Sequence, residues 1–367
     1  MRMWFRPVKG IAFCIVAAFF GSQAMAQVQV KRSFPSAKRI SAFDNTTFCT
    51  AFLSDGSLLT IRDIPIVDLR DVDKIAFNPT GSSLALMRGK KPVSIYSFRD
   101  RNKKLFELKE QRKSKELKGR KNLNFFVPGP VGAELMKDAS KGDIVPVAMC
   151  YGADARNFLV SNSLGEIIVY DTKAYLPQAY IQGKAVATAI TMSPNNYFIA
   201  AGTGKNIDIW NFQTKELRTS LPMPAEVTEL VFSADASQMA VVTADKRLTI
   251  FDTKTWDKVD IFDKIGGTLT SPSFHPDGKY ISVVKDGNAI VIMNLKNSVP
   301  EQTLDENPGG VTGSRFFVNK QTSDVFMLSN RAKGLVFWDA NGLNPFFGKL
   351  MSKEVDAKMN EWVKMMQ

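Results

Sequence analysis

One histidine, His275, serves all 367 residues of the chain. A Ser-His-Asp or Cys-His device needs a histidine positioned by the fold, and zinc sites usually draw on several His or Cys ligands. His275 lies in a Phe-His-Pro-Asp-Gly stretch, in a slot assigned to Pro194, Pro79 and Ala234 in sister segments. It therefore reads as an exposed turn residue. No catalytic residue, metal ligand set or cofactor site is assigned, and the chain is expected not to be an enzyme. Cysteine is almost as scarce, with only Cys14, Cys49 and Cys150. The last two fall in repeat units that are not neighbours, at non-equivalent positions. They read as free thiols, although an oxidising compartment would allow them to pair. Long apolar runs are missing as well. The run Ile11 to Phe20 has ten residues, too few for a bilayer core of about 30 Å, and no later stretch is long enough for a transmembrane helix.

The N-terminus carries a different signal. Arg2, Arg6 and Lys9 precede the apolar run with no acid among them, and Gly21-Ser-Gln-Ala-Met-Ala26 follows it, ending in Ala-x-Ala. A basic segment, a short apolar segment and a small-residue cleavage site, in that order, describe a secretory leader. Residues 1–26 are expected to be a signal peptide cleaved near Ala26. The mature chain would start at Gln27 and be periplasmic or otherwise extracytoplasmic.

The rest repeats itself. Strand-like segments end in a large apolar residue followed by Asp or Asn: Ile-Ile-Val-Tyr170-Asp171, Ile-Asp-Ile-Trp210-Asn211, Leu-Thr-Ile-Phe251-Asp252, Ile-Val-Ile-Met293-Asn294 and Leu-Val-Phe-Trp338-Asp339. Their spacings are 40, 41, 42 and 45 residues, and Val-Ser-Ile-Tyr96-Ser97 sits 74 residues before Tyr170, one period plus an insertion. Within each unit an alternating strand, a Pro/Asp/Asn/Gly turn, a strand of small and β-branched residues, a tight polar turn, the third strand and a fourth segment follow in order. Four short strands at a period near 40 specify a propeller blade. The predicted fold is all-β, a β-propeller of about seven four-stranded blades over 27–347. Gln27-Val-Gln-Val-Lys-Arg-Ser-Phe34 alternates polar and apolar residues and is expected to supply the outer strand of the last blade. Closing the ring in this way removes an unpaired edge. The recurring acids Asp171, Asp252 and Asp339, with Asp55, Asp235 and Asp277, read as turn caps; a calcium site is the alternative.

These blades resemble the WD-repeat family and bacterial extracytoplasmic propellers of the YVTN and TolB-like type, over most of residues 34–347. The resemblance implies an architecture more than a function. The WD-repeat pattern includes a hydrogen-bonded set of His, Asp, Ser or Thr, and Trp, and one histidine cannot supply it blade after blade. Stability is therefore expected to rest on strand packing and ring closure alone.

Two segments depart from the repeat. Residues 99–121 hold eleven basic and four acidic side chains. The formal charge is +12 for the chain, with +3 in residues 1–26 and +7 in residues 99–121, so only +2 remains elsewhere. This segment lies in an insertion spanning 99–146, expected to protrude between the second and third blades. It is either a solvated feature or a dock for an acidic partner or an anionic envelope surface, through Arg101, Lys103, Lys104, Arg112, Lys113, Lys115, Lys118, Arg120 and Lys121. Export disfavours nucleic acid as a partner. After Pro345-Phe-Phe-Gly-Lys-Leu closes the last blade, residues 348–367 are predicted to form a short C-terminal amphipathic α-helix. Met351, Val355, Met359, Trp362 and Met366 share one face of it. That face either covers the propeller or contacts another protein, with Met359, Trp362 and Met366 as contact residues, and the helix could lead into a further domain. The expected function is a protein-interaction or scaffold module in the cell envelope, binding other envelope proteins. The alternative is a lactonase- or quinoprotein-like enzyme or small-ligand binder at the central channel.

Overall fold

The repeat period becomes a ring of small antiparallel sheets. A computed structural model of the chain describes residues 73–79, 83–97, 104–108, 144–304, 310–318, 325–331 and 334–340, and the strand segments 27–29, 37–40, 50–53, 58–60 and 348–349. Strand β1 (Gln27–Gln29) opens the chain. A three-stranded sheet follows, made of β2 (Ala37–Ile40), β3 (Thr50–Leu53) and β4 (Leu58–Thr60). The second sheet holds β5 (Lys74–Phe77), β6 (Ser83–Met87), β7 (Val93–Ser97) and β8 (Lys104–Leu108). The third holds β9 (Pro146–Tyr151), β10 (Asn157–Asn162), β11 (Glu166–Asp171) and β12 (Pro177–Gln182). The fourth holds β13 (Ala189–Met192), β14 (Phe198–Gly202), β15 (Asn206–Asn211) and β16 (Leu217–Pro222). The fifth holds β17 (Val227–Phe232), β18 (Gln238–Thr243), β19 (Arg247–Asp252) and β20 (Lys258–Phe262). The sixth holds β21 (Leu269–Phe274), β22 (Tyr280–Lys285), β23 (Ala289–Asn294) and β24 (Val299–Leu304). The seventh is built from β25 (Val311–Val318), β26 (Val325–Arg331) and β27 (Gly334–Asp339), with β28 (Gly348–Lys349) beside β27. The described residues thus give seven sheets, five of them four-stranded.

Burial explains why each strand has the sequence it has. Second strands sit between two neighbouring sheets and are buried on both faces, so Ser83-Leu-Ala-Leu-Met87 and Asn157-Phe-Leu-Val-Ser-Asn162 carry no alternation. Fourth strands lie at the rim, so β12 and β16 alternate residue by residue between more and less exposed positions. The apolar core is a series of slabs between adjacent sheets. One joins Leu159, Val169 and Ile181 of the third sheet to Ile190, Ile199 and Trp210 of the fourth. The next joins Ile207 and Ile209 to Phe232, Met239 and Phe251. Each sheet completes its core only against its neighbours, which makes the stability a property of the ring.

The ring closes as the alternating N-terminal segment foretold. Strand β1 pairs antiparallel with β27, Val28 opposite Leu335 and Gln29 opposite Gly334, so the seventh sheet takes a strand from the start of the chain. Strand β2 packs beside β25 and β26, bringing the first sheet against the last. Gly348 and Lys349, the first residues of the predicted C-terminal helix segment 348–367, instead form β28 beside β27; the rest of that segment, with Met359, Trp362 and Met366, lies outside the described residues.

The turns repeat too, and they correct the reading of His275. The backbone N–H of Asn78, Ser193, Ser233 and His275 each bonds the carbonyl five residues on, at 2.8–2.9 Å. His275 therefore occupies the slot of Ser193 and Ser233, and Pro276, not His275, aligns with Pro194, Pro79 and Ala234. It is also buried, at 4% exposure. Two residues further on, Asn195, Asp235 and Asp277 accept the N–H of Tyr197, Ser237 and Lys279 at 3.1, 3.1 and 2.8 Å. These bonds hold the following residues Asn196, Ala236 and Gly278 at φ of 58°, 60° and 72°, a conformation that costs a side-chain-bearing residue about 1–2 kcal/mol. The acids ending the third strands act likewise. Asp171 accepts from Lys173 and Ala174 at 3.0 and 2.9 Å, and Asp252 from Lys254 and Thr255 at 2.8 and 3.0 Å.

Candidate interaction surface

The inner strands β5, β9, β13, β17, β21 and β25 run side by side around the axis. Their polar side chains tie one sheet to the next. The Lys74 ammonium donates to the carbonyls of Val147 and Thr188 at 2.8 and 3.3 Å, linking the second sheet to the third and fourth. The Glu229 carboxylate accepts the Ser271 N–H at 3.2 Å, and Ser273 Oγ accepts the Phe316 N–H at 3.0 Å. Ser161 Oγ donates to the Ala187 carbonyl at 2.7 Å.

Further bonds lie between blades at their turn ends. His275 Nε2 donates to the Ala340 carbonyl of the seventh sheet at 3.1 Å, while its ring meets Phe316 edge-on at 5.1 Å. Its Nδ1 stands 2.7 Å from Asp277 Oδ1. Between the second and third sheets the Tyr175 hydroxyl lies 3.0 Å from Ser83 Oγ and 2.8 Å from the Tyr151 hydroxyl. Burial, and for Tyr151 also its neighbour Tyr175, push both phenols above their ordinary range, so the chain is made of neutral hydroxyls. Within the seventh sheet Trp338 Nε1 donates to Ser329 Oγ at 2.9 Å, a pairing similar to the Trp–Ser part of the WD-repeat pattern. Strand packing and closure are thus joined by specific hydrogen bonds, which the sequence reading had not included. Cys150 in β9 is a free thiol packed against the slab between the third and fourth sheets, and burial pushes it up to about 12. Cys49 lies outside the described residues.

Of the basic contact residues, the structure places Lys104. It stands on β8, exposed, 2.7 Å from the Glu107 carboxylate. Residues Lys104–Leu108 are therefore the fourth strand of the second sheet, paired with β7, and are not part of a protrusion. Arg101, Lys103, Arg112, Lys113, Lys115, Lys118, Arg120 and Lys121 lie outside the described residues.

Apolar exposure concentrates on rim strands, with Val259 and Ile261 on β20, Val299 on β24 and Tyr180 on β12. Beside this rim, between the connector from β20 to β21 and the sixth sheet, is an open cavity of about 280 Å³. It is lined by the buried Ile265 and Val291, by Pro300 and Thr303 of β24, and by the charged Lys264, Lys285 and Asp286. The connector from β20 to β21 is pinned there by Asp286, whose Oδ1 accepts the Thr268 N–H at 2.7 Å. Gly267, at φ +71°, lies under that carboxylate; a Cβ on it would fall 2.1 Å from Asp286 Oδ2. No sequence pattern marked this cavity. Among the described residues no group of three or more His, Cys, Asp or Glu is placed to hold a metal ion, and no helix is long and apolar enough to cross a membrane.

No family model matches the chain. Echinoderm microtubule-associated protein-like 2 of Rattus norvegicus is 24% identical over 147 residues, 39% of this chain and 22% of that protein. A periodic tryptophan protein 2 homolog of Dictyostelium discoideum is 29% identical over 132 residues, 30% of this chain and 14% of the relative. That of Schizosaccharomyces pombe is 24% identical over 158 residues, 42% and 18% of the two chains. These are distant, partial likenesses to proteins of WD-repeat type, and they coincide with a repeated four-stranded architecture. The fold is a WD-repeat-like β-propeller. The chain spans between 14% and 22% of the length of the curated relatives it matches.

Proposed function

We propose that this propeller is exported and works, without catalysing a reaction, as a protein-interaction module of the cell envelope. The observation that carries the interaction role is the ring itself. It is a rigid, repeated scaffold whose inner polar side chains Lys74, Glu229, Ser271 and Ser273 bond neighbouring sheets, and its relatives are of WD-repeat type. Export is supported by the leader pattern through Ala26. The charge concentrated in residues 99–121 supports an acidic protein or anionic envelope surface as partner. The Met359, Trp362 and Met366 face supports an apolar contact.

Capture of envelope proteins by the full chain at low and high salt, with and without residues 109–121, which leaves β8 intact, tests the reading. Salt-sensitive partners lost on deletion are the expected result. Partners that all survive the deletion would remove the docking role from this segment, and recovery of the protein in the cytoplasm would refute export. Turnover of lactones or alcohols by the purified chain would refute the non-enzymatic reading.

A further inference from the structure

We propose that the cavity between the β20–β21 connector and the sixth sheet binds an acidic, aliphatic segment of a partner protein, with Lys264 and Lys285 taking its carboxylates. This rests on the interaction-module reading and gives that module a specific site. Lys264 and Lys285 line the cavity, and neither side-chain ammonium makes an ion pair or hydrogen bond among the described residues. The cavity lining also includes the Asp286 carboxylate, whose Oδ1 accepts the Thr268 N–H. The Lys285 ammonium comes within 4.0 Å of the Cβ that Gly266 lacks, so it overlies the bare connector at the cavity side.

Two ammonium groups against one carboxylate, on a lining that includes the buried Ile265 and Val291, favour a ligand that joins negative charge to hydrocarbon. A strand-like segment alternating Glu with Leu or Val presents both. The volume of about 280 Å³ suits one or two side chains more than a cofactor, since small-molecule sites typically run from about 300 to 1,000 Å³. The wall is preformed, because Gly266 and Gly267 hold positive φ and Asp286 fixes the connector to the neighbouring hairpin. Little ordering is then left for binding to offset.

The test uses the full chain and two fluorescent hexapeptides, Leu-Glu-Val-Glu-Leu-Glu and its Gln counterpart, read by fluorescence anisotropy at low and high salt. The acidic peptide is expected to bind at least tenfold more tightly than the Gln peptide, and to weaken with salt. The double variant Lys264→Glu/Lys285→Glu should lose roughly tenfold or more, from two exposed charge pairs. Lys264→Gln/Lys285→Gln, with unchanged thermal unfolding, should lose a smaller part. Deleting 109–121, which leaves β8 in place, should change binding by less than about twofold. Equal binding of both peptides, or binding that survives the charge reversal, would overturn the site. So would vesicles of anionic phospholipid that bind the chain and are weakened by the same reversal while the peptide is not. If the reversed variant still captures its envelope partners and the wild type does not discriminate the peptides, this site is wrong and the module reading stands. A wild type that captures no partner and binds no peptide removes both.

Discussion

Gly267→Ala should destabilise the protein by about 2–3 kcal/mol, of which about 1 kcal/mol should be shared with Asp286. Two effects contribute. At φ +71° a non-glycine residue loses about 1–2 kcal/mol. The new Cβ also enters the space of the Asp286 carboxylate, 2.1 Å from Oδ2. That carboxylate is the end of a short side chain and can swing away, but it then gives up the Thr268 N–H, an exposed bond of 2.7 Å worth about 1 kcal/mol. Asp286→Ala alone should cost that same amount. In the double variant the clash is gone and the bond is already lost, so its cost should match that of Gly267→Ala and fall short of the sum by about 1 kcal/mol. Urea unfolding followed by tryptophan fluorescence measures all four corners of the cycle. Strict additivity would refute the placement of Asp286 over Gly267.

Other consequences can be measured on the same preparation. His275→Ala removes a buried hydrogen bond to Ala340 and the ring contact with Phe316, and should cost about 2–4 kcal/mol in unfolding experiments. His275→Ser, which restores the residue type of the fourth and fifth turns, should recover about 1 kcal/mol of that; an unchanged stability in both variants would show that the histidine joins nothing. In native protein Cys150 should resist iodoacetamide at pH 8, since a thiol pushed up to about 12 holds almost no thiolate there, and it should be labelled once the chain is unfolded; peptide mapping distinguishes it from Cys49. Val28→Cys with Leu335→Cys, directly opposed in the closing strand pair, should form a disulfide under mild oxidation, with altered mobility on non-reducing gels. Failure to form it would place β1 elsewhere.

Much of the ring could be read from residues whose packing is local. The Trp210-Asn211 and Phe251-Asp252 endings marked the third strands because one residue enters a slab and the next caps the turn. The alternation from Gln27 found its place on β27. His275 was misread because Pro276 aligns with Pro194 only after a shift of one, and a histidine performing the turn role of Ser193 looks exposed until its Nε2 is seen reaching Ala340. Lys104–Leu108 was taken into the insertion because a rim strand with an ion pair, Lys104 to Glu107, has the composition of a solvated loop. The cavity was illegible for a simpler reason. Lys264 and Lys285 are surface lysines 21 residues apart, and only the approach of one sheet's connector to the next sheet's hairpin brings them to one pocket.

The most direct test of the account fixes partners in living cells with a short amine-reactive cross-linker, then recovers the protein and maps the cross-linked peptides by mass spectrometry. The account predicts a chain beginning at Gln27, outside the cytoplasm, joined repeatedly through its lysines to acidic regions of the same envelope protein or proteins. Recovery of only an uncleaved cytoplasmic chain, or of a chain with no intermolecular cross-link at any cross-linker concentration, would contradict it.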